Sequence, residues 1–554
     1  MKIRLKTDPR GDFEEIDIKR GTSIEKLYQD RAETLPYTVL SAKVNNKYEG
    51  LRYSLTEECS VELLDMRNQE AAYVYQHSLS LIYIAACRQV LGDVRVEIEN
   101  SLNQGLYTEI KGAGVLDAEQ VGKIEDRMRV LVDEDLPIVK EYMDRDKGIR
   151  ELQRQGEEEK VRLVEMNPRL TNLKFYGLDN TKTMSYSLMA PSTGYVQYFE
   201  LMKYRRGVLV RFPKPEEPDK IPPFDDEAEL YKAFGEQTIW DRLLGVSYVS
   251  DLNEKIANGE YLDLIQLSEA LHEKKVAEIA DRIKQEKKRI VLIAGPSSSG
   301  KTTFARRLCI QLRVIGLHPL YLGTDDYFVD RKDTPLDENG EPNYEGLDAI
   351  DIDLFNQNMN DLLAGKTVDL PTFDFLSGEK HFGKRITSVR PNQPIVIEGI
   401  HGLNEELTKS IPHEEKFKIY ISPLTQTNID EYNRIPSTDE RMLRRLVRDS
   451  QFRGHDAKMT INEWPKVRAG EDKNIFPYSG EADVLFNSYH DYEIPVLKKY
   501  AEPLLQKIGP DEPEYAEAVR MLGFLDYFDE YDDDDVIVNN SIIREFIGGS
   551  IFMR

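Results

Sequence analysis

The alternation of apolar and polar residues changes period along the chain, and each change marks a different kind of element. Residues 1–66 alternate in short runs, KIRLKT, FEEIDI, LSAKVNNKYEGL and SVELLDM, with the turn pair Asn45-Asn46 and a helical stretch, SIEKLYQDRAE, among them. Period two over runs this short predicts strands, so the segment reads as a small α+β module. Next, YVYQHSLSLIYIAACRQVL has its apolar residues spaced for a buried helix. LMAPSTGYVQYFELMKYRRGVLVRF alternates like strands around a turn at Ser192-Thr193-Gly194. The stretch FPKPEEPDKIPPFDDE, residues 212–227, is rich in proline and charge and predicts an extended connector or exposed loop.

A helical segment, SEALHEKKVAEIADRIKQEKKR, then leads into the apolar run RIVLIA. From about 285 to 500, strands and helices alternate, which predicts a parallel sheet with crossover helices and an α/β fold class. The expected organisation is a small α+β module at 1–66, an α+β domain at 67–245, a helical connector at 246–284, and a final α/β domain with a C-terminal extension at 285–554. Near the end, EYDDDD at 530–535 reads as a solvated loop before the apolar VIVNNSIIREFIGGSIF.

Length changes this picture little: 554 residues exceed what one core supports, in keeping with several domains. Charge changes it more. A formal net charge of −25 disfavours nucleic acid and anionic lipid as partners, leaving only a local basic patch to bind either. The three cysteines, Cys59, Cys87 and Cys309, are far apart, which suggests a reducing compartment and offers no zinc-ligand spacing. MKIRLKTDPRGD lacks an apolar signal core, and no apolar run is long enough to span a membrane, so the expected location is cytoplasmic with no membrane partner.

The strongest chemical signal is GPSSSGKTT, comprising Gly295, Pro296, Ser297, Ser298, Ser299, Gly300, Lys301, Thr302 and Thr303. It satisfies G-x-x-x-x-G-K-[ST] between a predicted strand and a predicted helix beginning near Thr303. Glycine permits the backbone angles that turn successive N–H groups around phosphate oxygens. Lys301 supplies a point charge to the β- and γ-phosphates, and Thr302 a hydroxyl to Mg²⁺. A second strand, PIVIEGIHGL, ends in Glu398, where a carboxylate can hold the same metal directly or through water. LYLGTDDYF is a strand ending in Asp325 and Asp326, and one of the two can accept a hydroxyl proton or bind the metal's water. In DERMLRRLVRDSQFRGHD, Arg441, Arg444, Arg445 and Arg448 fall at helical spacing, a stripe that repels itself unless anions face it.

Together these motifs resemble the uridine kinase and phosphoribulokinase family over roughly residues 288–490. The resemblance implies that Asp325 is the catalytic aspartate. YEGLDAID places Glu345 where the family's aspartate binds ribose hydroxyls. Arg445 and Arg448 become lid residues over the transferring phosphate, with Arg453 nearby on the substrate. In LPTFDFLSGEKH, Phe373 and Gly378 stand where uridine–cytidine kinases read the pyrimidine with tyrosine and histidine, and His455 replaces an arginine. Residues 1–66 resemble a TGS domain, which implies a β-grasp fold, and 67–245 resemble the second domain of threonyl-tRNA synthetase. In that second domain the editing chemistry is lost, because only His77 remains and Leu81, Ser185 and Met189 occupy the other positions.

The implied activity is ATP- and Mg²⁺-dependent phosphoryl transfer to a small-molecule alcohol, above all the 5′-hydroxyl of a nucleoside such as uridine or cytidine. Two alternatives stand beside it: a kinase for another polyol or sugar-type alcohol, and a nucleotide-switched, RNA- or translation-linked binding protein. A homo-oligomer is compatible with either kinase reading.

Overall fold

The computed structural model describes residues 1–103, 105–336, 340, 342–553 of the chain. Its N-terminal sheet has five strands in the order 14–17, 2–6, 60–65, 39–44, 47–50, with 2–6 and 60–65 parallel. Asn45 and Asn46 both have positive φ, 44° and 59°, which turns the 39–44/47–50 hairpin as their short polar side chains allow. The helix Ile24–Gln29 packs Ile24 and Leu27 against the sheet, after Ser23 caps it by accepting from the Lys26 amide.

The helix Gln69–Leu91 is buried along nearly its whole length, because the antiparallel sheet 200–204, 207–211, 105–111, 95–102 lies on one side. A three-stranded sheet of 139–144, 172–178 and 181–184 completes this region. The expected turn at Ser192-Thr193-Gly194 is not the hairpin. Residues 193–195 form a short 3₁₀ turn, and the chain reverses at Arg205-Arg206, with Arg205 at φ 50°, between strands 200–204 and 207–211. The Thr193 hydroxyl explains the difference: it donates to the Leu131 carbonyl and accepts from the Leu136 amide, tying that segment to a helix end instead of to a strand partner. Residues 212–227 contain no helix or ladder strand, as the proline spacing predicts.

Helices Val249–Ala257 and Tyr261–Gln285 lead into the last sheet. Its five strands lie in the order 320–323, 395–398, 290–294, 416–422, 484–487, and all pair in parallel. The central strand Ile290–Ala294 is wholly buried between its two neighbours, as expected for a parallel sheet covered on both faces. In open parallel sheets, ligands bind outside the carboxyl ends of the strands. That edge here carries Gly295, Glu398 and, just past Gly323, Asp325.

The connection from strand 416–422 to helix Ser437–Arg448 is buried from Ser422 through Asn433, inside the middle region. Asn428 donates to the Ile98 carbonyl at 3.1 Å, while Glu431 accepts from the Ile98 amide through its own carbonyl. Lys160, fully buried, lies 3.0 Å from Glu157 and 3.2 Å from Asp430. The acidic run near the C-terminus also departs from a simple solvated loop, because Asp534 is buried and paired with Lys499 at 2.9 Å. Among the described residues, no helix is long and apolar enough to cross a membrane.

Candidate active site

Helix Lys301–Val314 begins two residues earlier than the pattern suggested, with Gly300 as its N-cap at φ 82°. That left-handed backbone suits glycine, and a Cβ on Gly295 would collide with the Ile421 carbonyl oxygen, so both glycines of the motif are required by geometry. The loop's amides and the helix N-terminus present partial positive charge to one point. Ser298 and Ser299 are buried there with hydroxyls that find no partner among the described residues, a polar lining suited to phosphate oxygens.

Lys301 Nζ donates to the carbonyls of Gly295 at 2.9 Å and Pro296 at 3.0 Å, and burial lowers its pKa. Thr302 Oγ1 donates to Glu398 Oε1 at 2.9 Å, and the same oxygen accepts from the Tyr321 hydroxyl at 2.8 Å. A hydroxyl beside a carboxylate is a hard-oxygen donor pair that fits Mg²⁺. Among the described residues there is no cluster of three or more His, Cys, Asp or Glu that could hold a metal, so water and phosphate oxygens would complete such a site.

The structure separates the two adjacent aspartates. Arg385 Nη1 lies 2.9 Å from Asp326 Oδ2 and occupies that carboxylate. Asp325 is exposed just past strand 320–323, yet protein packed around its carboxylate partly desolvates it. That enclosure, reinforced by the Glu398 carboxylate, pushes its pKa up to about 6.

Helix Ser437–Arg448 carries the arginine stripe, and it is buried from Asp439 to Arg448. Carboxylates face every member. Arg444, fully buried, pairs with Glu440 and with Glu493 at 2.7 Å, and donates to the carbonyls of Ser298 and Ser488. Arg441 donates to the Ser297 carbonyl at 3.0 Å and pairs with Glu471, which accepts from the Ser297 amide at 2.8 Å. These two arginines therefore brace the phosphate loop from behind. Arg445 reaches Ser297 Oγ at 3.0 Å, and it shares the buried Asp449 carboxylate with Arg448 and Arg453, at 3.2, 2.8 and 3.6 Å respectively.

The remaining predicted contacts lie around this centre. The Glu345 carboxylate abuts Gly470, where any Cβ would collide with it, and its amide donates to Asn343 Oδ1. Phe373 packs edge-on with Phe328 and Phe375, ring centres 5.7 and 5.2 Å apart. Gly378 contributes a carbonyl to the Arg331 amide, and His381 pairs across the hairpin with Thr372. His455 Nδ1 is 3.9 Å from Glu463. His77, in the middle region, is buried and donates Nδ1–H to the Tyr73 carbonyl at 2.8 Å, and burial lowers its pKa to about 4. It is a neutral core residue.

Sequence reasoning missed Glu471, Glu493 and Glu545. The last accepts from the Thr303 hydroxyl at 2.7 Å. None carries a local motif, and each meets its partner only through the fold.

A parallel sheet with a glycine-rich phosphate loop at its central strand, a basic helix alongside and a free carboxylate opposite defines a P-loop kinase. The model for the phosphoribulokinase/uridine kinase family matches residues 290–495. Uridine kinases of Staphylococcus aureus strains JH9 and Newman are each 34% identical over 198 residues, covering 35% of this chain and 86% of theirs. The chain belongs to that family. A solved structure described as a possible uridine kinase from Bacillus stearothermophilus is 21% identical, covering 36% of this chain and 89% of its own, with a TM-score of 0.25.

Proposed function

We propose that the chain transfers the γ-phosphoryl group of ATP, with Mg²⁺, to the 5′-hydroxyl of a nucleoside such as uridine or cytidine. The observation that carries this reading is the contrast between Asp326, held by Arg385, and Asp325, open beside the phosphate loop. A carboxylate so placed, with its pKa raised toward neutrality, suits removal of the acceptor's hydroxyl proton. Lys301 and the loop amides hold the donor's phosphates, while Thr302 and Glu398 would hold Mg²⁺. The metal, when bound, neutralises charge on the phosphate oxygens. Arg445 and Arg448 stabilise the equatorial oxygens, with Asp449 fixing their direction. Glu345 accepts from ribose hydroxyls, and Phe373 offers an apolar face to the base; Arg453, with its side chain half exposed, completes the substrate side.

The uridine kinase relatives support a nucleoside acceptor. A polyol acceptor is favoured by one observation: Gly378 has no side chain to read a base edge, and Phe373 is engaged with Phe328 and Phe375. A panel of nucleosides and polyols, followed by ADP release and product mass, separates the two. Monophosphorylated uridine or cytidine as the preferred product supports the nucleoside reading; a phosphorylated polyol with nucleosides inert overturns it.

A further inference from the structure

The C-terminal extension lies outside residues 290–495, the part shared with the family, yet it reaches the phosphate loop. Ile542 packs so closely on Gly300 that a Cβ there would sit 2.5 Å from its Cγ2. Three residues on, Glu545 Oε2 accepts from the Thr303 hydroxyl at 2.7 Å and from the Thr303 amide at 3.3 Å. Thr303 is the third residue of the loop's helix, so this amide is one of the N–H groups that the helix itself leaves without a partner. In a phosphate loop, those amides cradle donor phosphates. A carboxylate seated on them is a phosphate mimic of like charge.

The segment is anchored rather than loosely draped. Arg544 donates to the carbonyls of Asp534 at 2.7 Å and Ile537 at 2.8 Å. Phe546 is fully buried, with the Arg444 guanidinium 5.0 Å from its ring centre, and Ile542 and Phe546 both belong to the core beneath the sheet. The groups around Glu545 include Thr303, the cations Lys301, Arg448 and Arg444, and the like-charged Glu398.

We propose that Glu545 is an intrasteric gate on the donor site: its carboxylate holds the Thr303 amide and hydroxyl until a donor phosphate displaces it. The gate sets donor affinity and couples it to the docking of residues 541–548. This rests on reading residues 295–303 as the donor-phosphate site. Nucleotide binding to the full chain therefore opposes two interactions, the carboxylate's hydrogen bonds and its repulsion of the incoming phosphate.

The test is titration calorimetry of MgADP and of a non-hydrolysable ATP analogue into the full-length wild type, Glu545→Gln, Glu545→Ala and Lys301→Ala. Hydrogen exchange of residues 541–548, with and without nucleotide, is read alongside. The gate predicts that both Glu545 variants bind about tenfold tighter than wild type, and the isosteric glutamine gives the deciding readout if the alanine variant fails to fold. It also predicts that nucleotide speeds exchange in 541–548 of the wild type. Wild-type affinity in a folded Glu545→Gln, with Lys301→Ala losing binding, overturns the gate and keeps the donor site. If no protein binds nucleotide, or Lys301→Ala binds as wild type does, the donor-site reading fails and the gate with it.

Discussion

Both terminal nitrogens of Arg520 meet the Asp439 carboxylate, Nη1 at 2.7 Å from Oδ2 and Nη2 at 2.8 Å from Oδ1. Asp439 opens the arginine helix, whereas Arg520 belongs to helix Tyr515–Leu525 beyond the family's shared region. Arg520 also lies over the ring of Tyr73, 5.4 Å away, and the Tyr73 hydroxyl is 3.3 Å from Thr438 Oγ1. The helix that aims Arg445 and Arg448 is thus held from both ends of the chain. A bidentate pair removed from water is costly to break one-sidedly, because the surviving charge stays buried. Arg520→Ala is expected to destabilise the protein by about 3–5 kcal/mol in denaturant unfolding. Asp439→Asn with Arg520→Leu should lose less than the sum of the single changes.

The contact of Thr302 with Glu398 predicts a metal phenotype. Glu398→Gln keeps the shape and removes one negative charge from the donor pair. The Mg²⁺ concentration for half-maximal turnover should rise about tenfold, with nucleotide still binding, in a magnesium titration of activity. An unchanged magnesium requirement would assign Glu398 a purely structural part, holding Tyr321.

The pH profile follows from Asp325. Its carboxyl must be ionised to accept a proton, and enclosure together with Glu398 raises its pKa to about 6. Below that value the base is protonated and idle; above it the base is available. The acid limb of kcat/KM should therefore fall off through about pH 6, and Glu398→Gln should move that limb to lower pH by removing a like charge.

The parts of this architecture that were legible in the sequence are those whose partners lie close along the chain. GPSSSGKTT keeps its whole cradle within nine consecutive residues, so spacing alone marks it. Asp325 and Asp326 are adjacent and chemically alike, and what distinguishes them is Arg385, 59 positions from Asp326. Glu545 sits in an apolar tail and meets Thr303 across 242 positions, a distance no periodicity encodes. The arginine stripe was visible as a helix face. That it is a buried brace behind the loop, with Arg444 sealed against Glu493, depends on packing that local pattern does not carry. The strand turn misplaced to Ser192-Thr193-Gly194 has a similar cause: Thr193's hydroxyl contacts, and not turn propensity, decide that stretch.

The most direct measurement is single-turnover phosphoryl transfer by Asp325→Asn at saturating nucleotide and acceptor, with nucleotide affinity measured on the same protein. Asparagine preserves the shape and hydrogen-bonding reach of the side chain but cannot take a proton. The expected result is unchanged nucleotide affinity with transfer slowed by about 10² or more. Transfer at the wild-type rate would contradict the central claim that Asp325 activates the acceptor alcohol.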